Sequence, residues 1–361
     1  MKIQDIEIKH ISIPLKKPFK TTLRRVDSAE NTVVLVHSDD GQTGYGEAPP
    51  TVVITGETNE SIIAVIRLMK VRLQGADIDS LDSIMDIINK TCIHNYSAKA
   101  AVDMAIYDLV AKSCGKPLYK FLGGYRNCVE TDLTISINDP EEMCQDAIWA
   151  KEQGFNALKL KVGIDSDMDI KRVIAVRKAV GNQIKLRLDA NQGWNPKEAV
   201  RVIRTLEDKG LTIELVEQPV KAADFVGMKY VTSNVSTPIV VDESMFGPTD
   251  ALRILQMRAA DILNIKLMKC GGIYNALKIN AIAESYGVEC MMGSMIESKI
   301  SLTAATHLAA AKKNITRVDL DAAILLAEDP VIGGFRKEIP LFYPGDAPGL
   351  GITGIKNLID I

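Results

Sequence analysis

The stretch Leu158-Lys159-Leu160-Lys161 decides the fold class, because comparable apolar segments with a charged end recur along the chain. We predict eight of them as β-strands, at intervals of 24 to 28 residues: 130–136, 156–161, 184–189, 212–217, 238–242, 262–266, 288–293 and 315–319. Helical patterns lie between these strands, at 140–153, 167–180, 196–209, 248–258, 273–286 and 298–311. Strands that alternate with helices in this way are typical of a (β/α) barrel, here without a helix after the last strand.

A doubly wound parallel sheet is the competing fold for such an alternation. That fold would place a glycine-rich GxGxxG turn after its first strand, and none occurs near the start of this region. We therefore predict an α/β protein whose residues 126–320 form a barrel of the (β/α)7β type.

The first 125 residues have a different pattern, typical of an α+β unit. We predict strands at 3–13 and 32–38 and helices at 60–73, 80–89 and 97–113. Residues 17–25 are polar and aperiodic, so we expect a mobile loop there. No low-complexity linker separates this unit from the barrel, and we therefore expect the two to pack tightly.

Composition and charge exclude several classes of protein. The 361 residues contain 43 Lys and Arg against 46 Asp and Glu, a net charge of −3, which argues against a nucleic-acid partner. No apolar stretch approaches the roughly 18 residues of a membrane span, and the first residues lack the apolar core of a signal peptide. Six cysteines without a CxxC pair are expected to be reduced thiols of a cytoplasmic protein.

The ends of the predicted strands carry charges where a parallel barrel strand should be apolar. Side chains alternate faces with period two, so Lys159 and Lys161 point the same way, as do Asp319 and Asp321. Barrel enzymes keep their chemistry at this C-terminal end of the strands. A single such residue is usually a solvated cap or an ion pair, but charges in phase at six strand ends would be costly without a function.

Asp189, Glu217 and Asp242 end three consecutive predicted strands, so their carboxylates are expected to converge. Three oxygen ligands suit Mg²⁺, and the four scattered histidines contain no HxxxH pair that would favour zinc. Lys161 and Lys266 flank this triad from opposite sides of the predicted barrel. A lysine acts as a general base only when its pKa is well below about 10, and neighbouring cations such as Mg²⁺ lower that pKa.

Together these residues resemble the enolase superfamily, in its muconate-lactonising subgroup, over the whole chain. The resemblance is carried by Lys159-Leu160-Lys161, by the three carboxylates, and by Lys266 within the stretch Asn264-Ile265-Lys266-Leu267-Met268-Lys269. Asp319-Leu320-Asp321 is similar to the Asp-x-Asp motif of the dipeptide epimerases in that subgroup, as are the segments 293–297 and 97–101. The resemblance implies a modified TIM barrel at 126–320 and an N-terminal capping domain at 1–125, which the C-terminal segment 321–361 completes.

The reaction that the resemblance implies is a 1,1-proton transfer at the Cα of a dipeptide's C-terminal residue. Mg²⁺ would bind the substrate carboxylate and stabilise the enediolate, while Lys161 and Lys266 remove and return the proton on opposite faces. Lys159 would add positive charge near the enolate oxygen, and Asp319 with Asp321 would bind the free α-ammonium. The resemblance also implies substrate-lining roles for Thr134, Ser294 and Ile296. A packing role is the alternative for these three residues.

Substrate specificity is expected in the segments 17–31 and 50–58 of the capping domain. Arg24, in Thr22-Leu23-Arg24, resembles the arginine that pairs with the substrate's side-chain carboxylate in glutamate-selective epimerases. The alternative is that Arg24 is a solvated surface residue and that Arg25 binds the substrate's side-chain carboxylate. The resemblance implies conversion of L-Ala-L-Glu to L-Ala-D-Glu in murein peptide metabolism. The dipeptide and Mg²⁺ are then the expected ligands, and a homo-oligomer is left open.

Other functions remain compatible with parts of this pattern. A cycloisomerase or o-succinylbenzoate synthase would use the same lysines and metal, although its acid substrates have no ammonium group for Asp319 and Asp321. A Schiff-base lyase or aldolase would use Lys161 or Lys266 without a metal and would leave the three carboxylates unexplained. A non-enzymatic binding protein would not require two opposed lysines. An epimerase that prefers another dipeptide also stays open.

Overall fold

The computed structural model describes residues 1–21 and 23–361. Its N-terminal part has three strands and four helices: β1 (Ile3–Lys20), β2 (Arg25–Ser38), β3 (Thr43–Ala48), α1 (Asn59–Leu73), α2 (Leu81–Thr91), α3 (Tyr96–Ser113) and α4 (Leu118–Phe121). Strand β3 packs closely on α3, because a Cβ atom at Gly46 would lie 1.8 Å from the Ala101 carbonyl oxygen. Glycine at this position therefore allows the sheet and the helix to approach.

The predicted strands and helices of this part are present, but the prediction of a loop at 17–25 is wrong over most of its length. Strand β1 continues to Lys20 and β2 begins at Arg25, and Phe19 pairs with Val26. The sequence hides this pairing because the ladder is irregular between Pro14 and Phe19, which interrupts the period-two alternation. Thr22 lies outside the described residues.

The second part is a barrel whose strands follow one another in chain order, all parallel, from β5 to β12. The barrel strands are β5 (Leu133–Ile135), β6 (Ala157–Lys161), β7 (Lys185–Asp189), β8 (Ile213–Glu217), β9 (Ile239–Val241), β10 (Ile262–Ile265), β11 (Glu289–Gly293) and β12 (Ile315–Asp319). A short strand, β4 (Val129–Glu130), precedes them in the chain. The predicted α/β barrel is confirmed. The prediction of one strand over 130–136 is wrong, because β4 pairs outside the barrel and only β5 belongs to it.

Helices cover the outside of the barrel or follow its strands. They are α5 (Pro140–Glu152), α6 (Ser166–Val180), α7 (Pro196–Asp208), α8 (Phe225–Asn234), α9 (Pro248–Met257), α10 (Leu267–Cys270), α11 (Ile273–Ser285), α12 (Lys299–Ala311) and α13 (Ala322–Leu325). Within the described parts of the chain, none of the helices is long and apolar enough to cross a membrane.

The C-terminal segment contributes five short strands: β13 (Val331–Gly333), β14 (Arg336–Glu338), β15 (Leu341–Tyr343), β16 (Ile352–Ile355) and β17 (Ile359–Asp360). Strand β15 pairs with β4, and β17 pairs with β1 at the edge of the N-terminal sheet. The β17–β1 pair brings the end of the chain back to the N-terminal sheet. The division into 1–125, 126–320 and 321–361 stays a prediction.

Below the polar C-terminal ends of the strands, the inside of the barrel contains an apolar cluster as well as the buried Arg187. Leu215, Val240, Ile262 and Met291 form a small buried cluster of their own. Because side chains alternate with period two, the residues two positions further along these strands face the same interior. The fold thus places Glu217, Asp242 and their neighbours above an apolar floor, at the mouth of the barrel.

Strands β5 and β12, at the two ends of the barrel sheet, do not pair as a ladder in the described residues. Arg187 of β7 bridges them instead, since its Nη1 donates to Asp132 Oδ2 at 2.7 Å and to the Val318 carbonyl at 3.1 Å. The Asp132 N–H also donates to the Val318 carbonyl at 3.3 Å. The barrel is therefore closed at this point by side chains as well as by backbone.

Candidate active site

A pocket opens at the C-terminal ends of the barrel strands, under strands β1 and β2. Its walls include most of the residues that the sequence predicts: Arg24, Thr134, Lys159, Lys161, Lys266, Ser294, Ile296, Asp319 and Asp321. The three predicted metal ligands, Asp189, Glu217 and Asp242, lie beneath these residues with no exposed surface. The structure therefore brings all the predicted site residues to one end of the barrel.

Lys161 and Lys266 enter the pocket from opposite sides of the barrel. Lys161 ends β6 and Lys266 follows β10, and these strands lie four positions apart in the eight-stranded sheet. Lys161 Nζ is 2.6 Å from Asp189 Oδ2, and Lys266 Nζ is 2.8 Å from Asp242 Oδ2. Each lysine thus faces the pocket and contacts one of the predicted metal ligands.

Lys159 lies at the centre of the charged cluster, with 1% of its surface exposed. Its Nζ is 2.7 Å from Glu217 Oε2, 2.7 Å from Asp319 Oδ2 and 3.0 Å from Asp189 Oδ2. Burial favours the neutral form of this lysine, but the surrounding carboxylates raise its pKa well above the usual value. Lys159 is therefore a fixed positive charge at the floor of the pocket.

Among the described residues, no three His, Cys, Asp or Glu side chains are already grouped as a metal site. The reason is visible in the contacts, because lysine ammonium groups lie against each of the three carboxylates. The cluster nevertheless has more negative than positive groups. Its six carboxylates and four lysines are Asp189, Glu217, Asp242, Glu243, Asp319, Asp321, Lys159, Lys161, Lys266 and Lys269. A divalent cation would favour the ionised form of these groups, since burial raises the pKa of Glu243 to about 8 and that of Glu217 to about 7.

Three buried oxygens beside the carboxylates also lack hydrogen bonds among the described residues: Asn191 Oδ1, Glu243 Oε2 and Asn264 Oδ1. Glu243 Oε1 accepts a hydrogen bond from Asn191 Nδ2 at 3.1 Å, and the described residues provide no ion pair for it. A buried carboxylate without a counter-ion is costly. The oxygen-only donor set and these unpartnered atoms fit Mg²⁺ held by Asp189, Glu217 and Asp242.

The pKa values of these carboxylates reflect the competition between burial and the lysines. Burial opposes the ionisation of Asp189, yet Lys159 and Lys161 lower its pKa to about 2. Burial and the nearby Asp189 raise the pKa of Glu217 to about 7. Burial lowers the pKa of Lys266, but its contact with Asp242 dominates and raises that pKa above the usual value. For Lys266 to have the lowered pKa that a general base needs, Asp242 must therefore bind a different group.

Asp319 and Asp321 are each anchored through one carboxylate oxygen. Asp319 Oδ2 contacts Lys159 Nζ, while Asp321 Oδ2 accepts a hydrogen bond from the Thr134 N–H at 2.6 Å. Burial and the neighbouring Asp319 raise the pKa of Asp321 to about 6. A carboxylate offers about four acceptor positions, and both side chains line the pocket. The pair can therefore accept further hydrogen bonds from a cationic ligand.

Arg24 lies in the turn between β1 and β2, where the Thr21 hydroxyl accepts a hydrogen bond from its backbone N–H at 3.2 Å. Its guanidinium has no carboxylate partner in the described parts of the chain, and burial lowers its pKa. Arg25, in contrast, is exposed and pairs with Asp27 at 2.9 Å. Arg24 is therefore the arginine of this hairpin that is available to a ligand in the pocket.

Several residues at the site are absent from the sequence-based prediction. Lys269 contacts Asp242 Oδ1 at 2.5 Å and the carbonyls of Asp242, Met245 and Asn264. Its spacing of three from Lys266 on a helical turn is a signal that could have identified it. Apolar residues also line the pocket: Phe19, Leu23, Val53, Ile54 and Met295. No sequence pattern distinguishes these from ordinary core residues.

Comparisons with known proteins agree with this geometry. Residues 3–123 match the family described as mandelate racemase / muconate lactonizing enzyme, N-terminal domain, and residues 142–356 match the enolase C-terminal domain-like family. The chain is 53% identical to the L-Ala-D/L-Glu epimerase of Bacillus subtilis over 99% of this chain and 98% of that protein. It is 48% identical to the hydrophobic dipeptide epimerase of Enterococcus faecalis over 98% of this chain and the whole of that protein.

Solved structures show the same similarity. A substrate-liganded complex of the Bacillus subtilis epimerase superimposes with a TM-score of 0.98, covering 98% of this chain and 99% of that one at 53% identity. The Enterococcus faecalis dipeptide epimerase, complexed with Mg and L-Leu-L-Tyr, superimposes with a TM-score of 0.96 at 47% identity, covering 98% of this chain and all of that one. The chain therefore belongs to the enolase superfamily, with the N-terminal domain of the mandelate racemase and muconate lactonizing enzymes.

Proposed function

We propose that this protein is a Mg²⁺-dependent dipeptide epimerase that interconverts L-Ala-L-Glu and L-Ala-D-Glu. The observation that carries the proposal is the placement of Lys161 and Lys266 on opposed strands of one pocket, because inversion at a carbon atom requires proton transfer on both faces. The names and ligands of the close relatives support the same reaction.

In this proposal Asp189, Glu217 and Asp242 hold the metal. When bound, Mg²⁺ would neutralise the substrate carboxylate and the negative charge that develops on it as the α-proton leaves. One of Lys161 and Lys266 accepts the α-proton from its face, and the other donates a proton to the opposite face. Lys266 would lose its present partner if Asp242 were a metal ligand, whereas Lys269 would keep its contacts with the Met245 and Asn264 carbonyls.

The remaining pocket residues would orient the dipeptide. The fixed charge of Lys159 stabilises negative charge on the substrate carboxylate, and Asp319 with Asp321 binds the α-ammonium through the acceptor positions that remain on their carboxylates. Polar side chains and backbone groups on the walls hold the peptide unit: Thr134, Ser294 and Ile296. The distance between the ammonium and carboxylate sites then limits the substrate to the length of a dipeptide.

Acetylation of the substrate's amino group is expected to remove most of the activity. N-acetyl-L-Ala-L-Glu leaves Asp319 and Asp321 without the cation that they are proposed to bind, so kcat/KM should fall at least roughly 100-fold. Asp321→Asn removes a negative charge but keeps an oxygen that can accept from the Thr134 N–H. It should therefore reduce kcat/KM far more for the free dipeptide, which has an ammonium group, than for the acetylated one. Equal turnover of both substrates would instead favour a cycloisomerase or o-succinylbenzoate synthase.

Arg24 supports glutamate as the preferred second residue. It is a half-buried cation without a carboxylate partner among the described residues, and it lies in a wall that is mostly apolar. Phe19, Leu23, Val53 and Ile54 of the same wall favour a second candidate, an epimerase for hydrophobic dipeptides like the relative from Enterococcus faecalis. The cation favours glutamate, because leaving it half-buried without an anion would be unfavourable.

Replacing Arg24 with leucine is expected to change the preferred substrate. Loss of one partner of a desolvated arginine–carboxylate pair costs about 2–5 kcal/mol, or roughly 30- to 5,000-fold in kcat/KM. Arg24→Leu should lose this factor on L-Ala-L-Glu and lose little, or gain, on L-Ala-L-Leu. Arg25→Leu is the matched control, since Arg25 pairs with Asp27 in solvent. An unchanged preference for glutamate in Arg24→Leu would contradict the assignment.

The function as a whole is tested by incubating the protein with a dipeptide library in D₂O and detecting α-deuterium uptake by mass spectrometry. Uptake at the C-terminal residue is expected, strongest for L-Ala-L-Glu. A Schiff-base enzyme would instead be trapped by borohydride and would be insensitive to EDTA. A protein that binds dipeptides without exchange would be a binding protein.

We also propose a cytoplasmic role in the turnover of murein peptides, which contain L-Ala-D-Glu. All six cysteines are free, which is consistent with a reducing compartment.

A further inference from the structure

Glu47 of β3 is a fully buried carboxylate that reaches from the N-terminal sheet to the barrel. It accepts hydrogen bonds from the Ser298 N–H and hydroxyl, both at 2.8 Å, and from the Ser301 N–H at 3.1 Å. No lysine or arginine of the described residues pairs with it. Its charge is instead stabilised by the N-terminal turn of α12, where unsatisfied N–H groups create positive potential.

Asn31 of β2 lies on the same face of the sheet, since Val33, two positions further on, pairs directly with Glu47. It is 1% exposed, and its Nδ2 donates to Glu47 Oε1 at 2.6 Å and to the Ile296 carbonyl at 3.2 Å. One amide group therefore joins the buried carboxylate to the segment 294–298, which precedes α12.

These contacts determine which polar groups of segment 294–298 are bound by the protein itself. The Met295 N–H donates to Glu297 Oε1 at 2.6 Å, and the Ile296 carbonyl is taken by Asn31. The carbonyls of Ser294 and Met295 and the Ile296 N–H have no hydrogen bond to a described residue, although all three residues line the pocket. The Met295 N–H and the Ile296 carbonyl are thus bound by the protein, and the other three backbone groups remain without a hydrogen bond among the described residues.

The same strand links two walls of the pocket. Strand β2 begins immediately after Arg24 and contains Asn31, so the bond from Asn31 to Ile296 connects the strand that follows Arg24 with the wall formed by residues 294–296. We propose that Asn31 and Glu47 are positioning residues that tie the N-terminal sheet to segment 294–298 and thereby fix the pocket for its dipeptide. This inference rests on the proposed function for the identity of the ligand.

The test compares Asn31→Ala with Asn59→Ala. Asn59 is a matched control because it also makes two hydrogen bonds in the N-terminal part, to Glu30 and Thr32, and none to the barrel. In Asn31→Ala, KM for L-Ala-L-Glu should rise roughly tenfold, the loss expected from one or two hydrogen bonds, while kcat changes less than about threefold. The value of kcat is preserved because Lys161 and Lys266 are held by other strands, and the Kd for Mg²⁺ should also be unchanged.

Amide hydrogen exchange provides a readout that does not depend on activity. Exchange at Met295 and Ser298 should accelerate at least about tenfold in Asn31→Ala and remain unchanged in Asn59→Ala. Asn31→Ser, which keeps a small polar side chain, replaces the alanine variant if that one does not fold. An unchanged KM, an equal effect of Asn59→Ala, or unchanged exchange would overturn the inference. If the wild-type protein introduces no α-deuterium into any dipeptide, only the proposed function fails. Faster amide hydrogen exchange at Met295 and Ser298 in Asn31→Ala would still show that Asn31 fixes this wall.

Discussion

The substitution Lys266→Ala is expected to abolish epimerisation but to leave the exchange of the α-proton of one substrate stereoisomer with solvent. A general base contributes roughly 10²- to 10⁴-fold, and inversion needs both bases, so turnover of L-Ala-L-Glu should fall at least by this factor. The remaining lysine still reaches one face of Cα. In D₂O, Lys266→Ala and Lys161→Ala should therefore each exchange the α-proton of a single stereoisomer, and the two variants should retain opposite ones.

The structure indicates that both variants will fold. Without Lys161, Asp189 keeps Lys159 at 3.0 Å, and without Lys266, Asp242 keeps Lys269 at 2.5 Å. Neither Asp189 nor Asp242 is then left buried without a cation. Lys185→Ala is the control, since Lys185 is exposed at the opposite end of β7 and should be replaceable without loss. Wild-type epimerisation by Lys266→Ala would place the second base elsewhere.

Removal of the metal is expected to have an effect as large as removal of a base. EDTA should abolish activity and Mg²⁺ should restore it, because the negative charge that forms on the substrate carboxylate has no other divalent partner. Asp242→Asn removes the charge of a metal ligand and should weaken Mg²⁺ binding at least roughly 100-fold. This is more than the usual loss when a residue that only hydrogen-bonds to a metal ligand is replaced. Calorimetric titration of the protein with Mg²⁺ measures this directly.

Asp208→Asn is the matched control for the metal site, since Asp208 is exposed at the end of α7. Its Mg²⁺ affinity and activity should equal those of the wild-type protein. Full activity after dialysis against EDTA would contradict the metal assignment. It would also reopen the Schiff-base alternative, in which the lysines act without a cation.

The sequence was sufficient to predict the barrel because its signal is local. Short apolar segments at regular intervals and the helical patterns between them follow from backbone geometry alone, which repeats along the chain. The charged strand ends followed from the same logic, since period-two alternation places Lys159 and Lys161 on one face. The pairing of Phe19 and Lys20 with Val26 and Arg25 escaped prediction because an irregular ladder removes the alternation on which such predictions depend.

By itself, then, the sequence determined the fold class, the end of the barrel where the site lies, and the residue types that converge there. Only the tertiary structure decided which lysine contacts which carboxylate, that Arg24 rather than Arg25 faces the pocket, and which apolar side chains form its wall. The bond from Asn31 to Ile296 joins residues 265 positions apart. Contacts of this kind depend on how the N-terminal sheet packs on the barrel, and no local periodicity encodes that packing.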